Sequence, residues 1–269
     1  MVPALWHALQ GFRAHRGFFL AAGLSFYLLI CVIPMLFLVI ALAGFVLTSE
    51  AATQAVLGQL GQIIPVYRRE LRDLLGRIVE TRRLSGVLGT VILILFSTQL
   101  FAALRLVMND IFGIRRGRGF LRGMVWDLVM VLVMGVLFLA SIAVTDLFFW
   151  ARTFVLTQAQ VPREWIRWMF TLLGVTFSVA LFFIVFRYFP NRRVRWGAAL
   201  LGALLASLLW EAAKQLFRWY ILSFGVYDQV YGPLGIIVAL TMFAYYTGVV
   251  VILGAEYAAA LEARWRRAR

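Results

Sequence analysis

The sequence predicts an all-α integral membrane protein with six transmembrane helices, both termini on the cytoplasmic side and an amphipathic helical loop between helices 1 and 2 on the outer side. Three observations lead there. Of 269 residues, 63% are hydrophobic and 14% charged, with a mean hydropathy of +0.90, where a soluble domain is nearer half apolar and a quarter charged. Six largely apolar runs are long enough to cross a bilayer, which takes about 20 residues at 1.5 Å each. Arginine is concentrated in alternate connections between those runs. The same composition excludes a soluble enzyme and a disordered chain, since 23 Phe, 9 Trp and 9 Tyr carry far more apolar surface than disorder tolerates.

The expected spans are residues 18–47, 84–104, 124–150, 168–186, 196–222 and 232–255, forming one polytopic domain over 1–269. Helices rather than strands follow from the length and continuity of the runs, because backbone groups in lipid must be satisfied within their own segment. The first run is too long for the h-region of a signal peptide and is expected to stay as a span. Span three carries Asp127 and Asp146 near its two ends. Span five is the polar exception, charge-free from Trp196 to Trp210 and continuing through Glu211, Lys214 and Arg218.

Thirteen arginines fall on one side: Arg13 and Arg16; Arg115, Arg116, Arg118 and Arg122; Arg192, Arg193 and Arg195; Arg264, Arg266, Arg267 and Arg269. The other side has fewer, and the six in the long 49–83 loop are diluted by Glu50, Glu70, Asp73 and Glu80. Both termini are therefore expected inside. The net charge of +14, which in a soluble protein would suggest nucleic acid, becomes a topology signal, and no nucleic-acid partner is expected.

The 49–83 loop has helical periodicity on both sides of Pro65, with Val56, Leu57, Leu60, Ile63 and Ile64 before it and Leu71, Leu74, Leu75, Ile78 and Val79 after it. It reads equally as a lipid-contacting lid or as a solvated face over a packed core. Pro34, mid-way along span one, removes a backbone hydrogen bond and predicts a kink, either ordinary bending or a hinge. Ala198, Gly202 and Ala206, with Gly254 and Ala258, repeat small residues at four-residue spacing and are read as helix packing.

The intramembrane charges carry the most information, because an unpaired ion at mid-bilayer costs at least ~2.5–3.5 kcal/mol. Glu211, Lys214 and Arg218 share one helical face. Lys214 lies roughly 27 Å along the helix from Trp196, in the outer half, at a depth similar to Asp146 and Asp228. These five residues are candidates for a polar pocket open to the outside, and equally for a self-satisfied ion-pair network. At the inner end Arg105, Asn109, Asp110, Asp127, Arg187 and Glu256 form a second possible group, best read as headgroup anchoring. The histidines, His7 and His15, lie in an arginine-flanked segment; Cys31 stands alone; the twelve acids are scattered. No metal site, cofactor or catalytic constellation is expected.

The stretch AAGLSFYLLICVIPMLFLV, from Ala21, resembles the first-span signature of the YihY/BrkB family of bacterial inner-membrane proteins, once labelled ribonuclease BN. Tyr188 to Pro190 followed by basic residues, then GAALLGALLASLLWEAAKQLFRWYI, YDQVYGPLGIIVAL and LGAEYAAAL, resemble that family's order of motifs through spans five and six, and the Asn109 to Ile114 region is suggestive. The matching positions are Phe26, Tyr27, Pro34, Glu211, Lys214, Tyr220, Tyr231, Gly232, Gly254, Ala255 and Glu256, with Cys31 where serine is common and Pro233 directly after Gly232.

The resemblance implies a multi-pass inner-membrane protein connected with envelope integrity, some members being linked to lipid export. Together with the residues it supports transport or handling of a lipid, the outer pocket taking an anionic headgroup. A non-transporting scaffold is the alternative, and a ribonuclease the weakest reading. Homo-oligomers and envelope-protein partners are not distinguished by the sequence.

Overall fold

The computed structural model describes residues 2–46, 82–114, 123, 125–134, 136–137, 163–223 and 234–267. Among them every regular element is helical: α1 (Val2–Ala14), α2 (Gly17–Val46), α3 (Arg82–Ile111), α4 (Val125–Met134), α5 (Arg163–Tyr188), α6 (Trp196–Ser223) and α7 (Leu234–Arg267). Among the described residues three stretches are long and apolar enough to cross a membrane, Val87–Ile111, Trp196–Phe217 and Val238–Arg266. A bent pair, Ala4–Ala14 with Gly17–Val32, makes a fourth if it counts as one span. Val125–Met134 and Leu172–Tyr188 are shorter apolar helices on the expected third and fourth spans. The loop expected to be amphipathic, and residues 138–150 of span three, lie outside the described residues.

The described residues belong to two compact units. The first comprises Met1–Ala22, Phe101–Phe217 and Tyr246–Arg269; the second comprises Gly23–Leu100 and Arg218–Tyr245.

In the first unit, α6 shows why these sequences need lipid. Its buried positions are Ala198, Ala199, Gly202, Ala203, Ala206 and Ser207, whereas Leu200, Leu204 and Leu208 are exposed, Leu208 by 65%. In water this arrangement would waste the leucines and bury almost no apolar volume. In hydrocarbon, leucine loses nothing by facing out, and small residues let two backbones approach closely. A Cβ added at Gly202 would lie 2.7 Å from the Cβ of Ala258 and 2.8 Å from the carbonyl oxygen of Gly254. One added at Gly254 would lie 2.7 Å from the Cβ of Ala206 and 2.8 Å from the Phe186 ring. The small-residue spacing read as packing is thus the α6–α7 contact, with α5 entering through Phe186. Ser207 Oγ also donates to the Val175 carbonyl of α5 at 3.4 Å.

Other joints of this unit are equally close. Gly248 of α7 meets the backbone of Ala21, a Cβ there falling 2.7 Å from the Ala21 oxygen. Helix α1 buries Ala4, Ala8 and Phe12, one face at four-residue spacing. It ends at His15 and Arg16, Arg16 taking the left-handed conformation with φ of 53°, and the chain turns by 72° into α2. At the end of α3, Gly113 has φ of 63°; Ile114 N–H donates to the Asn109 carbonyl at 2.8 Å and Gly113 N–H to that of Asp110 at 3.0 Å. These two bonds form a Schellman cap, so the Asn109 to Ile114 region is a helix stop.

In the second unit, α2 continues through Pro34, which is buried. Phe26 is exposed, with its ring edge-on to that of Tyr27 at 5.7 Å. Cys31 is buried and shares a hydrogen bond with Ser97 of α3. Thr98 Oγ1 turns back onto its own helix, donating to the Leu95 carbonyl at 2.7 Å.

Candidate functional site

Helix α6 carries the charged face expected of span five. Lys214 Nζ donates to Glu211 Oε1 at 2.6 Å, one turn apart on the same helix. The side chains are 41% and 27% exposed respectively. The pair follows Leu204 and Leu208 along the flank of α6 where the small-residue packing face gives way to exposed leucines. Arg218 and Tyr220 lie on the last turns of α6, where the structure describes the backbone alone. Asp146, Asp228, Tyr231 and Gly232 lie outside the described residues. Of the five pocket candidates, Glu211 and Lys214 are therefore the two whose contact is seen.

The second group of charged and polar residues forms separate contacts, each joining two elements. Arg105 Nη2 of α3 donates to Asp127 Oδ2 of α4 at 2.8 Å, with side chains 14% and 5% exposed. A Cβ at Gly123 would collide with the Arg105 guanidinium, so the absence of a side chain there makes room for the arginine. Asn109 Oδ1 accepts the backbone N–H of Asn191 at 2.8 Å, tying α3 to the connection between α5 and α6. Arg187 Nη1 donates to the Val194 carbonyl at 2.6 Å and its guanidinium lies 4.7 Å from the Trp196 ring, within cation–π range.

Glu256 of α7 is buried and its Oε1 lies 2.7 Å from Nδ1 of His15. Gly11 of α1 packs directly on the same carboxylate, leaving no space for a Cβ. Gly254 and Ala255 precede it on α7, both buried. The sequence named Glu256 but not its partner, which is 241 residues away in the chain. Glu262 was not singled out either, although its i,i+4 relation to Arg266 was a readable signal; it is buried and bonded to Arg195 and Arg266.

Chemically, the two groups differ. The contacts of Arg105, Asn109, Arg187 and Glu256 pair side chains or backbone groups across elements and fix how those elements meet. The Glu211–Lys214 pair lies within one helix. Among the described residues no three His, Cys, Asp or Glu side chains gather as metal ligands.

The chain resembles membrane proteins along nearly its whole length. The UPF0761 membrane protein of Tolumonas auensis is 30% identical over 248 residues, covering 90% of this chain and 80% of that protein. That of Chlorobium phaeobacteroides is 29% identical over 247 residues, 90% of this chain and 54% of the relative, and that of Azotobacter vinelandii 28% over 270 residues, 97% and 64%. The chain thus spans little more than half the length of the Chlorobium relative. No solved structure matches it. The family described as virulence factor BrkB matches residues 8–269. With nearly every residue inside that match and with relatives named as membrane proteins, the chain belongs to the BrkB family of membrane proteins.

Proposed function

We propose that the protein is a six-span component of the bacterial inner membrane, with both termini cytoplasmic, that transports or otherwise handles a lipid or similar amphiphile and so supports envelope integrity. The candidate pocket residues are Glu211, Lys214 and Arg218, with Asp146 and Asp228 the further candidates offered by the sequence, and Pro34 is the candidate hinge. The reading assigns no catalytic residue, cofactor or nucleic-acid partner.

The observation that supports this reading is the Glu211–Lys214 pair. An ion pair between two helices sets their register; a pair within one helix does not, and it still carries the cost of placing charge in hydrocarbon. Such a pair is retained where its face meets water or a polar headgroup. Arg218, one turn further, adds a positive charge beyond what Glu211 balances, which suits an anionic headgroup. The scaffold alternative draws on the inner contacts, Arg105 with Asp127 and His15 with Glu256, which do join elements.

Lys214→Ala separates the two. In the pocket reading the variant inserts, purifies as one species and melts close to the parent, yet fails to restore envelope function in a deletion strain. In the scaffold reading it leaves Glu211 sealed without its counter-ion, a loss of ~3–5 kcal/mol, and Glu211→Ala added to it recovers the melting temperature. The orientation has its own check. Arg116→Cys should be shielded from a membrane-impermeant thiol reagent in intact cells and Thr53→Cys should react; the reverse pattern would overturn it.

A further inference from the structure

The connection between α5 and α6 folds against the last turns of α7. Its own Phe189, Pro190 and Val194 are buried. Glu262, 3% exposed, sits at the centre and takes two donors: its Oε2 accepts the Arg195 backbone N–H at 3.2 Å, and its Oε1 accepts Arg266 Nε–H at 3.3 Å. Arg195 Nη1 donates to the Trp265 carbonyl at 3.1 Å, satisfying one of the carbonyls that the end of α7 leaves open. Arg192 stands beside this group. Burial, and then the nearby charge of Arg266, pull its guanidinium below the ordinary arginine value, with Glu262 opposing. Its buried Nε has no hydrogen-bond partner among the described residues.

Two guanidinium groups, on Arg192 and Arg266, thus act on one carboxylate, an excess of one positive charge, while the Arg195 guanidinium is held on the Trp265 carbonyl. Arginine stays protonated at physiological pH, so proton loss does not relieve the crowding, whereas an anion does. The depth is marked by tryptophan. Trp196 is 64% exposed at the start of α6, and Trp265 packs over Gly197, where a Cβ would lie 2.9 Å from its ring. Tryptophans at the ends of apolar helices mark the headgroup layer, and the forked guanidinium matches phosphate geometry.

We propose that Arg266, bonded to Glu262, and the neighbouring Arg192 bind the phosphate of an anionic phospholipid headgroup. This site is distinct from the Glu211–Lys214 face, which lies roughly 23–27 Å further along α6 at 1.5 Å per residue, and it stands whether or not that face handles lipid.

The test is native mass spectrometry of the delipidated full chain, titrated with phosphatidylglycerol or phosphatidylcholine. The parent should prefer phosphatidylglycerol by about thirtyfold, as two arginines near the surface imply. Arg192→Gln with Arg266→Gln should reduce the preference to within about threefold. Arg13→Gln with Arg264→Gln, which removes two exposed arginines elsewhere, should leave it unchanged. Equal binding of the two lipids by the parent, an undiminished preference in the Arg192/Arg266 variant, or an equal loss in the Arg13/Arg264 variant would overturn the proposal. Displacement of phosphatidylglycerol by inorganic phosphate at about 10 mM would overturn the lipid assignment in favour of a free anion. Should the double variant not purify as one species, the parent decides: loss of the preference in about 0.5 M NaCl supports guanidinium–phosphate binding, and its persistence overturns it.

Discussion

Gly254→Leu is expected to abolish the folded, monodisperse protein. The glycine lies where α6 and α7 touch, with Ala206 and Phe186 already at 2.7 Å and 2.8 Å from a Cβ that is not there. Both neighbours are buried, and Ala206 has no rotamer by which to withdraw. Gly254→Ala should cost ~1–3 kcal/mol as ordinary overpacking; leucine adds three further carbons that require α6 to separate from α7. Gly174→Leu is the matched control, since a Cβ there meets nothing within 4 Å, and leucine facing lipid is unstrained. Size-exclusion profiles and melting temperatures in detergent read all three. Equal recovery of Gly254→Leu and Gly174→Leu would show that the α6–α7 contact does not hold the first unit together.

The second large effect concerns the buried Arg105–Asp127 pair. Asp127→Ala leaves the Arg105 guanidinium, 14% exposed, without its carboxylate, and breaking such a pair typically costs ~3–5 kcal/mol. Arg105→Met together with Asp127→Ala should recover most of the loss, because an apolar residue of similar length removes the stranded charge, and such replacements are often neutral or stabilising. Thermal unfolding of the two variants beside the parent gives the answer. An Asp127→Ala protein as stable as the parent would mean that the pair contributes little.

The long apolar helices among the described residues were legible because hydrophobic runs of span length have few alternatives. Their ends were not. The second span was expected over 84–104, but α3 runs from Arg82 to Ile111: polar residues near the headgroups end a hydropathic run without ending the helix, and a Gly113 cap ends it later. The sixth was expected to close at 255, yet α7 reaches Arg267 for the same reason. Helix α1 was read only as an arginine-flanked segment, because its buried face rests on Ala4, Ala8 and Phe12, too few apolar side chains to announce a helix.

Local spacing also explains what was visible of the site. Glu211 and Lys214 were placed on one face by their three-residue separation, and they pair across it. Small residues at four-residue intervals marked the helix crossing. The partners of Glu256 and Asn109 could not be read this way, because His15 and Asn191 are 241 and 82 residues distant, and only the fold brings them together.

Whether an amphiphile meets the charged face of α6 can be read by photo-crosslinking in the bilayer. Membranes containing the protein and a phosphatidylglycerol analogue with a photoactivatable headgroup are irradiated, and the adducts are mapped by peptide mass spectrometry. Lipid handling at this face requires adducts within residues 208–218, sharply reduced by Lys214→Ala combined with Arg218→Ala while the protein remains folded. Adducts confined to the ends of the helices, and identical in parent and variant, would contradict it.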